Sequence, residues 1–595
     1  MKQWKKLLRQ MLLIACICML AGCGAKDAAE TPDAGTTQTQ AETGTSEESA
    51  APDTEATATP KPTSTPKPTA TPKPTKAPTP TPAATATPVP TMVPANNSEK
   101  LTGLDAFGIT SRMIVGWNLG NTLDSHGNYI TYDAPPSRAV TSWNNEEPTK
   151  EVFETVKAAG FNTVRIPITW YNHIKFDETT RTYTINPEWL DYVKKTVDYA
   201  YELDMFVIIN VHHENWVNVA KFDADSYENA SRALTDIWNA VATAFAEYDQ
   251  HLIFEGLNEP RQTGLGSAVE WGKGDTNSRN YINNLNQVFV DTVRSQGSAA
   301  NAERLLMIPG YCASSDQYAI RAIKVPENGG NIALSVHAYF PYNFTMATGT
   351  SHAFPGTSGY DTSISTFFKN LTLIMKEKGV PIIIGETGAS DFENTEDRAR
   401  WGQHFFSEAK NAGVPCVLWD NQASSTNTGE SFGLLKRTAG MWYESAVPML
   451  QAIMEVYGQE SSLPVYKTAT AANFDWAEIP IESDWVEIFR AEEGLELNPW
   501  GNKAVANWKP YMNENYEFVL VYYSKAKPYM VLQGGWHKVH STKGSSNPYM
   551  ITFTYENVQT TMQAEGAKLD KMNNFYISAE SAPMTAYGLY AVPVK

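Results

Sequence analysis

The amino-acid sequence predicts an α/β chain, a (β/α)8 barrel followed by a small all-β sandwich. Three observations predict it. Between residues 101 and 458, short apolar runs of strand length alternate with longer amphipathic stretches of helical period. Two of the runs stop abruptly on polar residues: His251-Leu-Ile-Phe-Glu-Gly-Leu-Asn258-Glu259-Pro260 and Val380-Pro-Ile-Ile-Ile-Gly-Glu386-Thr-Gly. In a parallel barrel such residues fall at the carboxyl ends of buried strands, where chemistry is built. After residue 463 the pattern changes to short β-branched and aromatic runs punctuated by Gly, Pro, Asn and Ser, as in an antiparallel sandwich.

Taken from the amino terminus, residues 1–23 read as an export signal. Lys2, Lys5, Lys6 and Arg9 precede an apolar run over 11–21 that is short for a membrane span. The run ends in Leu20-Ala21-Gly22-Cys23, which resembles the bacterial lipobox. That resemblance implies a lipidated Cys23 and an exported, cell-surface lipoprotein anchored to the bacterial membrane. Residues 24–97 are rich in Thr, Pro, Ala and Lys and repeat every six residues in their centre. Such a stretch buries too little to fold and favours an extended polyproline tether. Of the five cysteines, Cys16 and Cys18 leave with the signal; Cys312 and Cys416 read as small buried hydrophobes rather than a disulfide.

Residues 98–460 carry the barrel. Strands are expected at 112–117, 163–168, 206–211, 252–257, 305–309, 332–336, 381–385 and 415–418. Helices are expected between them at 150–159, 189–202, 232–247, 281–295, 364–377 and 397–411. A doubly wound sheet is the alternative, but no glycine-rich dinucleotide fingerprint supports it. Residues 464–595 form the sandwich, with strands expected at 516–524, 529–533, 549–555 and 587–594. Its Trp485, Trp500, Trp508 and Trp536 are read mostly as core, with one or two available as a sugar-stacking platform. The net charge of -18 argues against a nucleic-acid partner.

A pair of carboxylates held on facing strand ends can act as acid and nucleophile on a glycosidic bond. The other strand ends offer assistants. Arg165 can hold a carboxylate ionised. His212 and His213 close the third strand, and His337 and Tyr339 share one side of the sixth. Trp419 closes the eighth and presents an aromatic face.

Gly116-Trp-Asn-Leu-Gly-Asn-Thr-Leu-Asp124, Val164-Arg-Ile-Pro-Ile-Thr-Trp170, Asn258-Glu-Pro260, Val336-His-Ala-Tyr-Phe-Pro-Tyr-Asn-Phe-Thr345 and Gly385-Glu-Thr-Gly388 occur in order on successive strands. Together they resemble the motifs of glycoside hydrolase family five, in its bacterial endoglucanase branch. The resemblance implies Glu259 as general acid and base and Glu386 as nucleophile, with Asn258 binding the sugar hydroxyl beside the reacting carbon. It further implies that Arg165 and Tyr339 hold Glu386, that His337 tunes Glu259, and that His212, His213, Asn118 and Trp419 line the sugar sites. The implied activity is internal cleavage of a β-1,4-glucan with retention, by a monomer with no cofactor and no metal. Thr387 departs from the apolar residue that many relatives place after the nucleophile. Loops 125–148, with Trp143, and 341–360 are expected to wall the cleft. Xyloglucan and mannan are alternative substrates. Two rivals remain: a zinc hydrolase using His212, His213, His337 and a glutamate, and a non-catalytic lipoprotein that binds polysaccharide. The sandwich resembles a carbohydrate-binding module only in size, sheet pattern and aromatic load.

Overall fold

The computed structural model describes residues 101–594, apart from 144, 357, 468–472, 544 and 546. The expected signal, Cys23 and the tether lie outside the described residues. The strands in chain order are β1 (Val115–Asn118), β2 (Thr163–Ile166), a surface hairpin of β3 (Ile174–Asp177) and β4 (Thr182–Ile185), β5 (Phe206–Asn210), β6 (Leu252–Glu255), β7 (Leu306–Pro309), β8 (Ile332–His337), β9 (Ile382–Thr387) and β10 (Cys416–Leu418). Eight of them close a barrel in the order β1-β10-β9-β8-β7-β6-β5-β2, every pair parallel. The eight expected strands are therefore the eight observed ones. The first start is displaced furthest, to Val115 from the expected 112, because Arg112 and Met113 close the turn after helix Ala106–Thr110.

Side-chain alternation sorts the strands into two cores. Val207, Ile209, Phe254, Leu306, Leu334 and Ile384 point outward into the layer of helices, whereas Phe206, Ile208, Ile253, Met307, Ala333, Ile383 and Val417 fill the barrel. Burial on both faces is why these runs read as continuously apolar. Helix Ala224–Ala244 shows the outer layer at work. Its buried Ala230, Ala233, Leu234, Ile237, Trp238, Val241 and Ala242 recur at helical spacing, and Asp223 with Ser226 closes a capping box at its start. Trp238 donates from Nε1 to the Gly256 carbonyl at 3.1 Å, fixing the chain just before Asn258 and Glu259.

The interior is layered along its axis. At the floor, helix Ala106–Thr110, capped by Asp105, brings Leu101, Ala106, Ile109 and Met113 against Phe206, Ile253 and Leu305. Further up five of the strands, β1, β2, β5, β6 and β8, the interior turns polar: Asn118, Arg165, Asn210, Glu255 and Ser335 are all fully buried. Above them, at the mouth, stand His212, Asn258, Glu259, His337, Glu386 and Trp419.

Beyond the barrel, β11 (Leu435–Lys436), β12 (Met441–Tyr443) and β13 (Val465–Tyr466) form a small sheet, so the chain leaves the barrel a few residues after 464. An all-β region follows. It has two four-stranded antiparallel sheets made from β14 (Val486–Leu497), β15 (Asn502–Val505), β16 (Tyr516–Ser524), β17 (Tyr529–Gln533), β18 (His537–Val539), β19 (Met550–Phe553), β20 (Asn574–Ser578) and β21 (Met584–Pro593). The expected strand at 549–555 stops at Phe553, because Thr554 and Asn557 form a capping box that starts helix Tyr555–Ala564. Strands β14, β15, β18 and β20 were not expected. Trp508 lies in the core between the sheets.

Candidate active site

Arg165 is the hub of the mouth. Its guanidinium is wholly buried. Nε donates to Glu255 Oε2 at 2.8 Å, Nη1 to Asn118 Oδ1 at 3.0 Å and to Glu386 Oε1 at 2.8 Å, and Nη2 to Asn258 Oδ1 at 2.6 Å. A buried guanidinium needs such compensation, and a planar fork with five donors can serve several acceptors at once. Glu255 supplies the second negative charge and is itself held by Ser335 Oγ at 2.5 Å and Asn210 Nδ2 at 3.0 Å. Glu255, Asn210 and Ser335 were not anticipated from the sequence. The available signal was Glu255 itself, a charge inside an otherwise apolar strand that requires a buried partner.

Glu386 enters the mouth through a bulge. Val336 pairs with Ile384 but His337 pairs with Glu386, leaving Gly385 as an extra residue in β9. The insertion turns Glu386 back to the inner face after Ile383, where strict alternation would point it outward. Tyr339 donates its hydroxyl to Glu386 Oε2 at 3.0 Å, and burial keeps that phenol protonated. Burial would raise the Glu386 carboxyl, but His337, the Arg165 charge and the hydrogen bonds from Arg165 and Tyr339 outweigh it and hold the group below its ordinary range.

Glu259 has the opposite surroundings. Burial raises it, and the neighbouring Glu386 adds to the rise, against the lowering effect of His337, whose Nδ1 lies 2.7 Å from Glu259 Oε1. Oxygens of Glu259 and Glu386 and a ring nitrogen of His337 lie within 4.8 Å of one another. The site thus holds two close carboxyl groups, one biased to keep its proton and one biased to lose it.

The remaining expected residues fall around this pair. His212 and Trp419 lie parallel, ring centroids 6.1 Å apart, and His213 packs edge-on to His212. Burial, then the neighbouring cationic groups, keeps both imidazoles neutral. His126, Trp143 and Tyr171 extend this aromatic wall outward from His213. Asn118 does not face the opening; its amide donates to the Gly385 and Leu418 carbonyls at 3.0 and 3.2 Å, so it braces Arg165 and β9. Thr387, the departure after Glu386, is buried and donates to the Ala338 carbonyl at 2.8 Å. Asp124, His212 and His213 form a second cluster of close ligand atoms. Cys312 and Cys416 are free and buried. A cavity of ≈ 800 Å³ flanks the mouth between Trp271, Ser314–Gln317 and Thr362–Leu371 without touching either glutamate.

A closed parallel barrel whose mouth carries two carboxyl groups at this spacing and with opposed protonation defines a glycoside hydrolase of the two-carboxylate kind. Residues 123–425 match the family model for cellulase (glycosyl hydrolase family 5), and the chain belongs to that family. Endoglucanase A of Clostridium longisporum is 39% identical over 341 residues, 57% of this chain and 64% of that protein, so less than two thirds of that relative is spanned. Endoglucanase B of Ruminococcus albus is 37% identical over 369 residues, 61% of this chain and 83% of its own. Among solved structures, a GH5-4 broad specificity endoglucanase from Clostridium longisporum superposes with TM-score 0.56 at 36% identity, covering 60% of this chain and 99% of that one. A second, from Ruminococcus flavefaciens, gives 0.54 at 43% identity, over 59% and 98%. XEG5A, a xyloglucan-specific endo-β-1,4-glucanase from a metagenomic library solved with cellotriose, gives 0.53 at 37% identity, over 59% and 98%.

Proposed function

We propose that the barrel hydrolyses internal β-1,4 bonds of β-glucans with retention of configuration. Protonated Glu259 gives its proton to the leaving glycosidic oxygen as Glu386 attacks the anomeric carbon, forming a glycosyl ester and freeing the downstream chain. Glu259, now ionised, takes a proton from water, and the resulting hydroxide equivalent displaces Glu386. Arg165 and Tyr339 keep Glu386 ionised and aimed. Asn258 turns its Oδ1 to Arg165, which leaves its amide nitrogen for the sugar hydroxyl beside the reacting carbon. Trp419 offers a ring face to the sugar on the non-reducing side. The observation that carries this reading is the oppositely biased pair, Glu259 and Glu386, within 4.8 Å.

The test is product release from carboxymethyl cellulose, mixed-linkage glucan, xyloglucan and mannan, beside Glu386→Gln and Glu259→Gln. Cleavage of glucans by the parent and a loss of about 10³-fold or more in each variant are expected. NMR of the first product should show the β-anomer; the α-anomer would overturn the retaining step. Activity confined to mannan would overturn the substrate. Turnover should persist in a chelator, because the Arg165 charge beside Glu386 opposes a cation there.

A second reading, preference for xyloglucan, is favoured by the cavity beside the mouth, whose Ser314, Ser315, Thr362, Ser363 and Thr366 suit the hydroxyls of a branch. A higher kcat/KM on xyloglucan than on unbranched glucan would establish it. We also propose that Cys23 carries a lipid that holds the enzyme at the cell surface.

A further inference from the structure

The two sheets of the all-β region treat their outer faces differently. The sheet ordered β14-β21-β16-β19 is covered by its own chain: Phe474 stacks on Tyr587 at 3.5 Å, and Trp485 tilts against Tyr590 at 5.8 Å. Among the described residues the sheet ordered β15-β20-β17-β18 carries no such stack, yet part of its outer face is filled: Tyr529, Val531 and Ser578 are 3%, 0% and 0% exposed. Its inner face supplies Val505, Met530, Leu532, Val539, Phe575 and Ile577 to the core. By alternation, Asn502, Tyr576, Gln533 and Lys538 stand on the outer face.

Trp500 and Trp536 flank that face. Trp500 leads into β15 and Trp536 into β18, the two edge strands. They are 57% and 42% exposed. Their backbones have φ of 64° and 61°, a left-handed conformation that Gly or Asn normally supplies. A large aromatic at such a position is disfavoured by its backbone and by its exposure to water together. The contacts that offset this lie on the same face, besides the Trp500 amide, which donates to the Glu580 carbonyl at 2.8 Å. Trp536 leans on Tyr576 with centroids 5.7 Å apart, and Lys538 bridges the rings of Trp500 and Tyr529 at 5.6 and 4.7 Å. Amides lie beside Tyr576: Gln533 Oε1 accepts from Asn574 Nδ2 at 2.6 Å and from the Tyr576 hydroxyl at 3.0 Å. No carboxylate side chain stands on the outward positions of these four strands.

We infer that this outer face binds a single β-1,4-glucan chain, with Trp500 and Trp536 as stacking rings and the amides as hydroxyl partners. Flat rings match the apolar faces of equatorial sugar rings, and neutral amides match their hydroxyls without demanding a charge. A neutral polymer also suits a face that lacks carboxylates in a chain of net charge -18. The choice of glucan rests on the proposed activity of the barrel. A second hold on the polymer would raise the local concentration of chain at the cleft.

The experiment uses the whole chain. Retention on swollen cellulose, and retardation in native gels containing hydroxyethyl cellulose or mannan, are measured for Glu386→Gln with and without Trp500→Gly/Trp536→Gly. Glycine accepts positive φ, so these variants should keep or raise Tm. The expected result is retention on the glucans weakened by about tenfold or more. In the active parent background, kcat/KM should fall on swollen cellulose and stay unchanged on cellopentaose. Trp500→Phe/Trp536→Phe should keep most of the retention. Unchanged retention in the glycine pair, or an equal fall on cellopentaose, overturns the inference. Retardation on mannan but not on glucan overturns the choice of polymer. A parent inactive on every glucan defeats the proposed activity instead, since retention is read separately.

Discussion

Arg165 helps His337 to hold Glu386 ionised, and its replacement separates charge from geometry. Arg165→Lys keeps the charge but cannot reach Glu255, Asn118, Glu386 and Asn258 together. Glu386 should then rise toward its ordinary value, moving the acid limb of the kcat/KM profile to higher pH, with kcat down about 10²-fold. A profile that keeps its acid limb would show that Arg165 serves only packing. Glu214 gives a stability counterpart. Burial pushes its carboxyl up to about 8, so the folded chain holds a proton that the unfolded chain releases near its ordinary value of 4.5. Stability from this group is therefore lost as pH rises between those values. Glu214→Gln should flatten that slope and raise Tm near pH 8, as thermal melts across pH would measure. At this scale the sequence was legible where a polar residue ended a strand, as with Glu259, His337 and Trp419. It showed Glu255 as a charge within an apolar run but could not name its partner, which appears only when the barrel closes Arg165 onto it.

Elements position these residues through close approaches that tolerate little. Gly256, between β6 and Asn258, lies so near helix Thr276–Arg294 that an added Cβ would meet the Phe289 ring at 2.6 Å. Gly256→Ala should lower stability by about 1–3 kcal/mol and reduce kcat, since β6 must shift. Urea titration beside kinetics would separate the two effects. Gly385 in the β9 bulge is nearly as constrained, with a Cβ lying 3.3 Å from His337 Nε2 and 3.4 Å from Glu255 Oε1. Barrel strands were readable because burial on both faces makes them uniformly apolar. In the all-β region, β14 was missed because its Glu487, Glu492, Glu493 and Glu496 interrupt the apolar pattern of a largely solvated strand. The expected strand at 549–555 ran into the first residue of helix Tyr555–Ala564, because Tyr555 continues the aromatic run of β19.

At the scale of the whole molecule, the paired glutamates sit at one end of the barrel and the exposed Trp500 and Trp536 beside a separate sheet. The lipid proposal is tested by fractionating cells that express the full chain: Cys23→Ala should move the enzyme from membranes to the soluble fraction while leaving kcat unchanged. Persistence in membranes would defeat it. The lipobox and tether expectations rest on composition and motif alone and lie outside the described residues. How the mouth faces was beyond that reading, since it depends on which end of the barrel the chain enters. The helix Ala106–Thr110 answers this: Leu101 meets Phe206, Ile253 and Leu305 at the floor, below the polar layer and the glutamates. The described chain therefore enters the barrel at its closed base. The loops that shape the cleft stand at the far end, separated from Leu101 by the apolar floor and the polar layer above it.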